Sequence, residues 1–127
     1  MDDILKGLKG KRSKEQRIMA QMGYPAGYDA DDNEITMRDL IQGTKKGILS
    51  FSQLQPKKLA AIAIGRIKAQ QEFKVVILNK QLDKTSAIKE IEDGTDIGQT
   101  LVEIEKLAMQ FALNAAMKMK AKGELKL

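Results

Sequence analysis

The amino-acid sequence predicts an all-α fold: a small helical domain of four to five helices, whose long C-terminal helix packs antiparallel on a buried central helix. Two observations carry that prediction. Aromatic residues are only 4% of the chain and Trp is absent, so a core must be built from Ile, Leu, Val, Ala and Met. Such residues suit helix-on-helix packing better than strands, which favour aromatic and β-branched side chains. Second, residues 96–122 repeat apolar side chains at spacings of three and four, the period of a helix face.

Taken in order, residues 1–12 read as a flexible basic N-terminal arm, because Gly7 and Gly10 interrupt Ile4, Leu5, Leu8 and their lysines. The helical domain then spans 13–122. Ser13-Lys14-Glu15-Gln16 has the form of a capping box, and Ile18, Met19 and Met22 follow at helical spacing. A first helix over 14–22 is expected, stopped by Gly23. Residues 23–33 hold two glycines, a proline and a run of acids and amides, which predicts an exposed loop. A helix is expected over 34–46, with Asp31 or Asp32 as N-cap, Met37, Leu40 and Ile41 on one face, and Gly47 as C-cap.

Pro56 suits a first helical turn and opens the central helix, apolar on most sides through Leu59, Ala60, Ile62, Ala63, Ile64 and Ile67. Residues 73–78 have strand composition, yet Phe73 and Ile77 share a helical face with Leu59 and Ile62. No second strand is evident, so the helix is extended to about residue 80. Thr85 or Ser86 begins a short helix carrying Ile88 and Ile91, and Gly94 ends it. Asp96 and Gln99 then form a capping pair for the last helix. Gly123 closes that helix and leaves 123–127 as a frayed tail.

The last helix is apolar over roughly 200° of its circumference, against about 100° for a helix resting on one core. One stripe, Ile97, Leu101, Ile104, Ala108, Phe111 and Ala115, is expected to face the central helix. A second, Val102, Met109, Leu113 and Met117, is left without a partner and becomes the expected protein interface. Glu105 divides the two stripes. If buried it would need a lysine or arginine beside it, and the reading adopted is that it reaches water.

Function is bounded mainly by exclusion. The chain has no Cys and no His, which removes thiolate and imidazole chemistry, disulfides, Cys/His metal sites and haem ligation by His. Gly7-Leu8-Lys9-Gly10-Lys11-Arg12-Ser13 lacks the spacing of a phosphate loop. Asp29, Asp31, Asn33 and Glu34 open like a calcium loop, but Glu34 and Leu40 stand where Gly and Glu are required. No cofactor, metal or catalytic residue is assigned, and an enzyme is not expected. No run approaches the roughly 18 apolar residues of a membrane span, and no apolar leader precedes the domain. A cytoplasmic or otherwise intracellular location follows as the expectation, with the virion as the variant.

The expectation is therefore a non-enzymatic interaction and assembly protein, a homo-oligomer or a subunit of a larger complex. Its contacts would be Val102, Met109, Leu113 and Met117, joined by Tyr24 and Tyr28 from the exposed loop. The alternative follows from the net charge of +5: non-specific phosphate binding to nucleic acid through Lys9, Lys11, Arg12, Lys14 and Arg17. Eighteen of the basic residues are lysines, which argues against base-specific reading by arginine. The two readings are compatible in a virion-type protein that assembles around nucleic acid.

Overall fold

A computed structural model describes residues 14–125, and helices account for 57% of them. The order is α1 (Lys14–Met19), β1 (Pro25–Tyr28), β2 (Glu34–Thr36), α2 (Met37–Gln42), a 3-10 turn (Phe51–Gln53), α3 (Pro56–Ala69), β3 (Val75–Ile77), β4 (Lys80–Leu82), α4 (Lys84–Glu92) and α5 (Asp96–Ala121). The long C-terminal helix packs on the others as expected. Two small antiparallel sheets, β1–β2 and β3–β4, correct the all-α prediction.

The first strand, Pro25–Tyr28, runs through the middle of the expected loop. Pro25, Ala26 and Gly27 are buried, and Gly27 and Tyr28 pair with Ile35 and Glu34. Proline is tolerated because it opens the strand. Small residues let β1 lie against α3: a Cβ at Gly65 would fall 2.6 Å from Pro25 Cγ. Gly23 and Tyr24 and the turn after Tyr28 remain outside the strand, and Asp29 organises that turn. Its carboxylate accepts from the backbone N–H groups of Asp31 and Asn33 and from Asn33 Nδ2. Those bonds, the Asn33 backbone first, hold the Asp29 carboxyl below its usual range. The calcium-like acids thus include a turn-forming aspartate.

The helix expected from residue 34 starts only at Met37. Glu34–Thr36 is claimed by β1, and Thr36 with Asp39 forms a reciprocal capping box. Gly43, at φ 69°, ends that helix instead of Gly47. Pro56 does open α3, but the helix stops at Ala69 rather than reaching residue 80. The missing strand partner is the segment that follows directly: Val75, Val76 and Ile77 pair with Leu82, Gln81 and Lys80. Leu78 and Asn79, at φ 52° and 64°, form the two-residue turn between them. The N-caps of the last two helices are Asp83 and Thr95, each one or more residues before the expected cap. The tail is not frayed at Leu125, which is buried in the core, and Glu124 N–H donates to Met119 O.

Two apolar clusters form the core. One gathers Ile18, Met22, Met37, Ile41 and Ile62 around the C-terminal half of α5. The other gathers Ile67, Phe73, Leu82, Ala87 and Ile91 around Leu101. Because α3 and α5 contribute to both, they are the elements that join them.

Candidate interaction surface

The outer face of α5 follows from the way its inner face is built. Gly98, Leu101, Glu105, Met109, Ala112, Ala116 and Met119 are buried and recur at spacings of three and four. Three of these are Gly or Ala, which lets neighbouring elements approach closely. A Cβ at Gly98 would lie 2.1 Å from Glu90 O of α4, so the two helices touch backbone to backbone there. The inner face combines these small residues with Leu101, Met109 and Met119 and holds one acid, Glu105.

Glu105 occupies the middle of that face. It is 6% exposed, which corrects the expectation that it reaches water. Its Oε1 accepts from Arg66 Nε at 3.3 Å and from Gln70 Nε2 at 3.2 Å, while Arg66 Nη2 donates to Gln21 Oε1 at 3.2 Å. The arginine required by a buried acid is therefore supplied by α3. Burial, the largest influence on each, pushes Glu105 up and Arg66 down, against their mutual attraction. A cleft of about 330 Å³ adjoins the pair, with Arg17 and Tyr24 among its walls. Arg66 Nε is the guanidinium nitrogen that bonds Glu105, and Arg66 Nη1 is buried without a hydrogen-bond partner. Among the described residues no group of three or more Asp or Glu could hold a metal ion.

With Glu105 inside, the helix is turned relative to the sequence expectation. Met109, assigned to the outer stripe, is 1% exposed and covered by this chain. Val102 and Leu113 are half-buried against the two clusters, and only Met117 of that stripe is exposed. Conversely Ile104, Ala108 and Phe111, assigned to the inner stripe, face outward. The exposures are 42% for Ile104, 56% for Leu107 and 79% for Phe111. At 100° per residue these three fall within about 60° of arc, a single apolar stripe two turns long. On α5 an apolar stripe thus stands uncovered at Ile104, Leu107 and Phe111, while Met117 and, on the β3–β4 hairpin, Val76 and Leu78 are exposed elsewhere among the described residues.

The tyrosines pack on their own chain. Tyr24 lies under the Arg66 guanidinium, 5.3 Å from ring centre to Cζ, and Tyr28 lies under Lys58 Nζ at 4.4 Å. Both rings are half-buried at the edge of the first cluster. Of the basic residues considered for nucleic acid, Lys14 and Arg17 are exposed on α1, whereas Lys9, Lys11 and Arg12 lie outside the described residues. Lys120 is engaged elsewhere: its Nζ donates to Ile41 O at 2.7 Å, near the C-terminus of α2. No helix among the described residues is long and apolar enough to cross a membrane. The signal that could have located the uncovered stripe was present in the sequence as Gly98, Ala112 and Ala116, residues that mark a face of close approach.

Comparison with protein-family models, with curated proteins and with solved structures finds no match.

Proposed function

We propose that this chain is a non-enzymatic interaction and assembly protein that docks through the outer face of α5. The observation that carries the reading is the stripe Ile104, Leu107 and Phe111, with Phe111 79% exposed. Single exposed apolar residues are ordinary, since much of any protein surface is apolar. Three on one helical face, ending in a phenylalanine, are an interface signature, because aromatic anchors carry much of the energy of association. Covering them removes apolar area from water at about 25 cal/mol per Å². The absence of Cys and His favours binding over catalysis.

The test is the native size of the protein in cell extract, read by size-exclusion chromatography with antibody detection. Wild-type chain is expected to elute in a complex larger than its 14.1 kDa. Leu107→Glu and Phe111→Glu are expected to elute as the free chain while retaining the wild-type helical circular-dichroism spectrum. Wild type eluting at monomer size, or a complex unaffected by both changes, would overturn the proposal.

A further inference from the structure

Resting on that reading of the α5 stripe, we infer that the partner is a second copy of this chain, paired antiparallel along α5 about a two-fold axis between Leu107 and Phe111. The evidence is the charge order along the outer face. Asp96 and Glu103 precede the apolar stripe, and Lys118 and Lys122 follow it. All four are exposed, and at 100° per residue they share an arc of about 100° with Leu107 and Phe111. The face is therefore acidic at one end, apolar in the middle and basic at the other end. Such a pattern is complementary to itself under a two-fold rotation, which is the symmetry of most homodimers.

The register follows from helix geometry. An axis midway between Leu107 and Phe111 sets Leu107 of one copy against Phe111 of the other, twice. The same axis sets Asp96 level with Lys122, and places Glu103 within one turn, about 5 Å along the axis, of Lys118. Parallel pairing would instead oppose Glu103 to Glu103 and Lys118 to Lys118. The antiparallel arrangement also opposes the two helix dipoles favourably. Glu103 does have a competitor in Lys106, 3.7 Å away on its own helix. That pair is surface-exposed and contributes little. The apolar centre is short, so the dimer is reversible, and its population rises with protein concentration.

Sedimentation velocity of the purified full chain over a roughly hundredfold concentration range provides the test. A monomer–dimer equilibrium is expected, abolished by Leu107→Glu or Phe111→Glu. Glu103→Lys and Lys118→Glu should each weaken it several-fold, and the two changes combined in one chain should restore it. The chain has no Cys, so single cysteines report the register. A short bis-maleimide should join Asp96→Cys chains to Lys122→Cys chains in preference to joining either variant to itself. Monomer at every concentration, failure of the combined charge variant to recover, or preferential Asp96→Cys self-coupling would overturn the inference. A monomeric purified chain that still forms a Phe111-dependent complex in extract would overturn self-pairing and leave the interaction reading standing.

Discussion

Arg66 Nε and Glu105 Oε1 stand 3.3 Å apart, with side chains only 4% and 8% exposed, at the join between the two apolar clusters. On α3 the arginine falls between Ile62 and Ile67, which belong to different clusters; on α5 the acid falls between Leu101 and Met109, likewise. The pair thus fixes how the two halves of the core meet. Its geometry is single-pronged, and Arg66 Nη1 is buried without a hydrogen-bond partner. Arg66→Met leaves a buried carboxylate without its cation, and should cost about 3–5 kcal/mol in urea unfolding at neutral pH. Arg66→Met combined with Glu105→Leu should recover most of that loss, because no charge remains to desolvate. A single variant as stable as wild type would show that the pair contributes nothing.

The same pair has a pH signature. Burial raises the Glu105 carboxyl above its ordinary value of 4.5, in spite of Arg66 and Gln70. The folded chain then holds that proton more tightly than the unfolded chain does. Stability from this group is complete below the unfolded value and is lost as pH rises through the higher folded value. Asp29, Asp83 and Glu90 shift downward, so their contributions appear above the ordinary carboxylate range and fade as pH falls. Subtracting the stability of Glu105→Gln from that of wild type cancels those groups. The difference should decline as pH rises from about 4.5 toward 7. A difference that grows with pH would mean that attraction to Arg66 outweighs burial.

Helix periodicity made α5 and the start of α3 legible in the sequence, because long apolar repeats and a first-turn proline are local signals. The strands were not legible, for two different reasons. Pro25–Tyr28 has the composition of a loop and becomes a strand only because Gly65 admits it against α3. Val75–Ile77 has strand composition, but its partner Lys80–Leu82 is short, polar and immediately adjacent. The candidate surface was half legible. The wide apolar arc of α5 is present, yet hydrophobicity alone cannot say which part of it turns inward. Glu105, with its arginine supplied from another helix, and Gly98, with its backbone contact, decided the rotation.

Gly98 carries its own prediction. Its missing Cβ is replaced in space by the backbone carbonyl of Glu90, 2.1 Å from where a methyl would stand, with Ile91 Cα at 2.8 Å. Neither is the end of a flexible side chain, so Gly98→Ala must push α4 and α5 apart. The expected cost is about 3 kcal/mol, exceeding the gain of up to about 1 kcal/mol that alanine brings to a helix. Gly65→Ala meets the Pro25 ring instead, a side chain on a short strand, and should cost less. Denaturant midpoints for the two variants, compared with wild type, check the order.

The β3–β4 turn holds a correctable strain. Leu78 adopts φ 52° and Asn79 φ 64°, the signs of a type I′ turn, which favours Asn followed by Gly. A left-handed leucine costs roughly 1–2 kcal/mol, and here its side chain, 75% exposed, makes no compensating burial. Leu78→Asn with Asn79→Gly should therefore stabilise the chain by about 0.5–1 kcal/mol, less than the full strain because glycine loses more chain entropy on folding. Val76, exposed on β3, is untouched, so the change isolates the backbone from the apolar surface of the hairpin. Thermal unfolding measures the gain. A loss of stability in the double variant would mean that Leu78 is held by contacts, and that the positive φ is their consequence and not a cost.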